Sequence, residues 1–302
     1  MGGGLAGHEL AAAVSDAGGL GTIGLLPAEQ LAAEIAAARA LTDRPLAVNL
    51  LLPFARSAHF QVASRADALV TFWGRPKRRT ANVWIHQCGS LAEALKARAA
   101  GADGVIAQGV EAGGHVRGTT PAVELLASLR GALGPDYPVL SAGGVAGRED
   151  VAARLRLGAD AVVCGTGFLM TEESRAHPEY KALLTRARDT VLTELFGAGW
   201  PAPHRVVANE ATARWLGADP RGPRWLRGFY RASAPLLGRL PIAAQQRMAH
   251  LQSPRRPPFG PAPATEDGPP GLVQAGPLYA GECVAWLSDV VSAAERLAAL
   301  TP

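Results

Sequence analysis

Gly104-Val-Ile-Ala-Gln-Gly-Val-Glu-Ala-Gly-Gly-His115 begins as a short apolar run and ends in a histidine behind two glycines. An apolar run without alternation is the mark of a strand buried on both faces, as in a parallel sheet covered by helices. The same pattern recurs on either side. Leu20–Gly24, Leu46–Leu50, Leu69–Phe72, Val83–His86, Val139–Ala142 and Ala161–Cys164 read as further strands. Between and around them Gly7–Ala17, Ala28–Leu41, Leu91–Ala100, Ala122–Leu133, Glu149–Leu157 and Glu172–Arg186 read as helices. In the second of these Leu31, Ile35 and Ala38 recur at helical spacing. Gly18-Gly19, Gly101-Ala-Asp-Gly104 and Gly158-Ala-Asp160 stand where a helix stops and the next strand starts.

Seven strands of the βα kind are countable, and eight close a barrel. The chain opens with Met1-Gly-Gly-Gly, a loop leading straight into a helix, whereas such a loop normally follows a strand. The fold expected is therefore α/β, a (β/α)8 TIM barrel lacking its usual first strand. After Phe196 the alternation fails. Residues 1–200 are read as the barrel, 201–275 as an Arg/Pro-rich insertion packed on it, and 276–302 as a C-terminal segment that completes it. Helical patches are expected at Ala211–Leu216 and Leu240–Leu251, an extended strap at Pro254–Pro270, and a final helix over Cys283–Leu300.

With 302 residues, 48% apolar and 19% charged, the chain has material for a large core and is not disordered. The 35 glycines and 23 prolines show no collagen period. Cys88, Cys164 and Cys283 lie far apart and form no CxxC pair, which excludes a disulfide framework and fits a reducing cytoplasm. Neither a membrane-length apolar run nor a signal-peptide pattern is present. The net charge of +4 is uneven, with ten arginines against two acids in residues 201–262. These arginines are spread among Pro, Trp and Leu, so nucleic-acid binding is not expected. No two of the seven histidines stand four apart, and no GxSxG elbow occurs, so neither a helical metal site nor a serine nucleophile is expected.

Barrel enzymes work at the C-terminal ends of their strands. Three loops there are explicit: Gln108–His115, Ser141-Ala-Gly-Gly144 and Cys164-Gly-Thr-Gly167. Gly143-Gly144 and Gly165-Thr166 end consecutive last strands and can bare several backbone N–H groups. With a helix start near Gly147 they make a phosphate site, the alternative being plain tight turns. His115 is a candidate general base, since imidazole titrates near neutrality; a loop histidine satisfied by Glu111 is the other reading. Gln108 offers its amide to a heterocycle's edge or is an ordinary strand-end residue. Cys164 reads as a small buried hydrophobe.

These three loops closely resemble the signatures of nitronate monooxygenases, formerly called 2-nitropropane dioxygenases. Met1-Gly-Gly, Ala17-Gly-Gly-Leu-Gly21, Val48-Asn49 and Val70-Thr-Phe-Trp-Gly-Arg-Pro76 follow the family in order, with an echo at Tyr279-Ala-Gly-Glu282. The resemblance implies FMN in a TIM barrel and oxidation of alkyl nitronates by O2, without a metal, to a carbonyl compound and nitrite. It implies Met1 and Gly2 beside the flavin ring, with Asn49 and Gln108 hydrogen-bonded to it. Gly113, Gly143, Gly144, Gly165 and Thr166 would line the phosphate, and His115 would face the substrate as base or nitronate-binding residue. Gly167 departs from the family, which commonly has an arginine or another side chain there. The partners implied are a small-molecule substrate and O2, with a homodimer allowed. Two alternatives stand beside this reading: an FMN-dependent enoyl-acyl-carrier-protein reductase, and a flavin-binding protein without turnover.

Overall fold

The computed structural model describes residues 2–80, 82–238, 240, 244, 247–248, 251–269 and 271–302. Its centre is a curled parallel sheet of seven strands: β1 Gly21–Ile23, β2 Leu46–Leu51, β3 Ala68–Phe72, β4 Val83–Cys88, β5 Gly104–Gln108, β7 Val139–Ala142 and β8 Ala161–Val163. They lie side by side in chain order, and each pair is parallel. β6, Gly114–His115, stands outside this sheet. All seven runs read as strands in the sequence are present, with β1 and β8 at the two edges. The architecture is that of a (β/α)8 barrel holding seven of its strands.

Alternation sorts the strand residues into two layers. Val48, Leu50, Leu69, Trp84, Val105 and Val139 face outward, in one core with Leu31 and Ile35 of α2 (Ala28–Leu41) and Leu126 and Leu129 of α5 (Ala122–Leu133). Val70, Ile85, Ile106, Leu140 and Val163 fill the inside. Asn49, between two outward-facing residues, therefore points to the interior. α1 (His8–Asp16) packs with the final helix, Ala293–Leu300, through Leu10, Val14, Phe168, Ala293 and Leu300.

The repeated Gly-Ala-Asp punctuation acts as a latch. Asp103 accepts the Trp84 N–H at 2.8 Å and pairs with Arg78 at 2.6 Å. Asp160 accepts the Val139 N–H at 2.7 Å and pairs with Arg130 at 2.6 Å. Asp67 repeats the device on the Leu46 N–H at 2.7 Å, with Arg39 as its cation. Each carboxylate thus ties the start of one strand to the start of the strand before it. Burial alone would raise these three acids, but the amide and guanidinium outweigh it and hold them below the usual carboxylate range.

Two expected helices are broken. Over Glu172–Arg186 only α8, Pro178–Leu184, forms, after a short turn α7 at Thr166–Leu169. The intervening backbone is bonded elsewhere: the Glu172 N–H to Val291, Arg175 N–H to Leu5 and His177 N–H to Ala264. Pro178 then opens the helix, the position where its missing N–H costs nothing. Cys283–Leu300 divides into a 3₁₀ turn, Glu282–Trp286, and the helix from Ala293. Ser292 and Glu295 form a reciprocal capping box that fixes the later start.

Beyond residue 190 a small antiparallel sheet stands over the barrel mouth. β10 (His204–Val207) pairs with β9 (Val191–Thr193) on one edge; on the other it pairs with β6 and then β11 (Leu278–Tyr279). α9, Glu210–Trp215, follows where the patch at Ala211–Leu216 was expected. Most of Leu240–Leu251 lies outside the described residues. No helix among the described residues is long and apolar enough to cross a membrane.

Candidate active site

The loop after β5 is built from its own polar side chains. Gln108, buried on the inner face, donates from Nε2 to the His115 carbonyl at 3.0 Å and accepts the Arg117 N–H at 3.1 Å. Its amide thus braces the loop at the histidine's own carbonyl and two residues beyond it. Glu111 does not reach His115. Both its carboxylate oxygens take the Ala122 N–H, at 3.1 and 3.0 Å, and cap α5, which Pro121 leaves without a side-chain cap.

Gly113 is required by close approach. A Cβ there would lie 2.4 Å from the Gly281 nitrogen and 2.5 Å from the Ala280 carbonyl carbon. The Tyr279–Gly281 strap crosses directly on it and is held by the Gly281 N–H on Thr166 Oγ1 at 2.9 Å. Gly113→Ala is expected to destabilise the protein by about 1–3 kcal/mol, the cost of overpacking against backbone. A denaturant midpoint unchanged from wild type would contradict that contact.

His115 pairs with His204 in the small sheet, so its backbone is fixed by that strand on one side and by Gln108 on the other. Trp200 stacks on the imidazole, with centroids 3.6 Å apart and 16° between planes. Phe54 and Trp73 meet Trp200 edge-on, each at 5.2 Å, and Tyr279 lies 5.6 Å from His115. His115 Nε2 is buried and has no hydrogen-bond partner. Burial holds this imidazole well below the ordinary histidine range, and the neighbouring His204 adds to that. His204 is the contrast. Its Nε2 accepts the Phe196 N–H at 3.2 Å and its Nδ1 donates to Ala202 O at 2.9 Å, so its neutral tautomer is fixed and fully satisfied.

At the glycine loops, Gly143 (φ 109°) and Gly144 (φ 70°) are both left-handed. Arg154 is 7% exposed. Its Nη2 donates to the Gly143 carbonyl at 3.2 Å, its Nη1 is buried without a partner, and it makes no ion pair among the described residues. A Cβ on Gly165 or Gly2 would meet nothing within 4 Å. The helix start near Gly147 is not a vacant anion site: Asp150 Oδ2 already takes the Ala146 and Gly147 N–H groups at 2.8 and 3.1 Å. That expectation is corrected by Asp150, the third residue of the helix α6, Arg148–Arg156, whose own carboxylate takes the leading N–H groups.

The structure brings Gln108, Gly113 and His115 together with Thr166 through the 279–281 strap, and sets Gly143 and Gly144 beside Arg154. Asn49 faces the interior, half-buried, and Met1 lies outside the described residues. Burial pushes the Cys164 thiol up to about 12, as suits a small hydrophobe rather than a nucleophile. The site of the missing side chain at Gly167 is filled by Arg296 of the final helix, 3.3 Å from where a Cβ would stand. Sequence reasoning missed Trp200, Trp73 and Arg154. Only the spacing Gly199-Trp200-Pro201, an aromatic locked in a tight turn, carried a signal for the first.

A family model described as nitronate monooxygenase matches residues 1–77 and 75–218. The nitronate monooxygenase of Pseudomonas aeruginosa is 34% identical over 61% of this chain and 69% of its own. That of Paraburkholderia phytofirmans is 30% identical over 71% and 73%. A carboxyl-CoA dehydrogenase of Mycobacterium tuberculosis is 31% identical over 68% of this chain and 61% of its own. Among solved structures, nitroalkane oxidase from Streptomyces ansochromogenes superposes with a TM-score of 0.76 at 28% identity, covering 99% of this chain and 92% of that one. FabK from Thermotoga maritima gives 0.73 at 29%, covering 99% and 90%. With barrel, glycine loops and half-buried histidine all in the family's order, the chain is a flavin-dependent oxidoreductase that belongs to the nitronate monooxygenase family.

Proposed function

We propose that this protein binds FMN and oxidises alkyl nitronates with O2, with His115 as the base that takes the α-proton of a nitroalkane. The observation that carries this is the buried, unpartnered Nε2 of His115 in a ring held neutral by its surroundings. A neutral imidazole can accept a proton. The resulting cation is disfavoured in a dry pocket unless an anion lies beside it, and a nitronate supplies that anion. Proton uptake is thereby tied to formation of the substrate's own charge. Trp200 stacks on one face of the ring and Tyr279 lies beside it.

The residues present fit a phosphorylated, flat cofactor. Gly143, Gly144, Gly165 and Thr166 would hold the phosphate, with Arg154 supplying a buried guanidinium that lacks a counter-ion. Asn49 would hydrogen-bond the ring, and Gly2 leaves room beside it. The chemistry that FMN supplies when bound is electron transfer between nitronate and O2, leaving a carbonyl compound and nitrite. Gln108 acts here by bracing His115.

The name of the M. tuberculosis relative favours a thioester-directed oxidoreductase as the second reading. One experiment separates the two: the absorbance of purified protein, followed anaerobically with propionate 3-nitronate and separately with NADH. Bleaching of a flavin spectrum by the nitronate alone is the expected result. Bleaching by NADH alone would replace the proposal with the reductase, and a colourless protein that takes up no added FMN would remove both.

A further inference from the structure

Three features set Trp73 apart, and proton transfer at His115 needs none of them. Its φ of 62° makes it the one non-glycine residue in the left-handed region among the described residues, an unfavourable place for a bulky aromatic. Its indole Nε1 is buried without a hydrogen-bond partner. The guanidinium of Arg117 lies 4.6 Å over its ring, fixed there by Glu93 at 2.6 Å. Strain and an orphaned donor at one residue are tolerated where the surroundings over-determine them, and such places are typically functional.

The position of Trp73 supplies the function. It follows β3 at the same sheet end as the Gln108–His115 loop. Its ring meets Trp200 at 5.2 Å, and Trp200 stacks on His115 at 3.6 Å. One aromatic cluster therefore carries a buried acceptor, His115 Nε2, and a buried donor, Trp73 Nε1, neither with a protein partner. A nitronate is planar, with its charge on two oxygens next to the carbon that bore the proton, so it offers acceptors to a donor such as the indole N–H. A cation over the indole face draws electron density from the ring and strengthens the N–H as a donor.

We infer that Trp73 is a substrate-binding residue, whose indole N–H donates to the oxygen that carries the nitronate's charge once His115 has taken the proton from the neighbouring carbon. This rests on the nitronate reading of the His115 site, but its test does not depend on turnover. Trp73→Phe removes the N–H and keeps the ring. Nitrate, a planar oxyanion that does not react, is the binding probe, measured by calorimetry on the flavin-loaded protein. The variant is expected to weaken nitrate about tenfold to a hundredfold, the loss typical of a hydrogen bond to a charged group. It is expected to raise KM for nitronates similarly, with their kcat and the KM of neutral nitroalkanes changing far less.

Should the variant fail to fold, the wild type still answers: nitrate is expected to shift one indole N–H resonance among the six tryptophans. Wild-type protein that oxidises nitronates while Trp73→Phe leaves both KM and nitrate affinity unchanged would overturn the inference alone. Wild-type protein that oxidises no nitronate, yet binds nitrate in a Trp73-dependent way, would overturn the proposed function and keep the inference. No nitrate binding and no indole shift would overturn it outright.

Discussion

Alanine at position 115 is expected to lower turnover of neutral nitroalkanes by about two to four orders of magnitude, the usual worth of a positioned general base. Pre-formed nitronates should lose much less, because the proton is already gone. The asymmetry is the informative part. His115 is held by the lid strand, by Gln108 and by Trp200, and its Nε2 is buried without a partner. Its pKa lies well below the ordinary range, so the base form prevails from neutral pH down through mildly acid pH. The wild-type rate with nitroalkanes should therefore show no acid limb near 6.5. Steady-state kinetics on both substrate forms, across pH, checks this. Equal losses on the two forms would show that proton abstraction is not what His115 does.

Acidification from pH 7 to 4.5 is expected to cost the fold roughly 5 kcal/mol through two histidines that take no part in the reaction. Burial lowers His86 and His204 from 6.5 to about 4 each. The sign follows from the unfolded chain, where both would protonate near 6.5 while the folded protein holds them neutral. Their contribution is complete above that pH and is lost as pH falls toward the folded value, at about 1.4 kcal/mol per unit for each group. The lowered carboxylates Asp67, Asp103 and Asp160 act in the same direction but only below about pH 4, so the upper window isolates the histidines. His86 illustrates the cause. Its Nδ1 lies 2.7 Å from Thr71 Oγ1, which also accepts the Trp84 indole N–H at 2.8 Å, a network closed inside the outer core. Urea unfolding at the two pH values measures the total loss, to which the lowered His59 and His115 add in the same direction, and His86→Gln, which keeps a neutral polar group, should remove about 2.5 kcal/mol of it. A free energy independent of pH over this window would refute the assignment.

The barrel was legible because its strands are uniformly apolar and its turns are punctuated. Gly101-Ala-Asp103 and Gly158-Ala-Asp160 mark strand starts in the sequence and carry the latches in the structure. His115 and the glycine loops were legible because glycine spacing is visible along a chain. The helix break at residues 170–177 was not, because the backbone there is bonded to Val291, Leu5 and Ala264, all remote in sequence, whereas the start at Ala293 is marked locally by Ser292 and Glu295. The surroundings of His115 were hidden for the same reason. Trp73, Trp200 and Tyr279 come from three separate segments, and beyond the Gly199–Pro201 turn at Trp200 nothing local distinguishes a stacking tryptophan from the solvent-facing Trp225 or Trp286. Arg154 and Arg156 look alike on one helix, yet only the first is buried beside Gly143.

The three aspartate latches have a consequence for how the molecule assembles. Each closes a loop of only 19 or 21 residues. Contacts so near in sequence form at small entropic cost, so strand can be added to strand from the first units onward. The lid is the opposite case: the Gly281 N–H reaches Thr166 across 115 residues, and the Tyr180 hydroxyl reaches Tyr279 across 99. Assembly therefore runs from a locally stitched barrel to a roof made of distant pieces. His115 remains in water until that roof arrives, and acquires the character of a buried base at the end of folding.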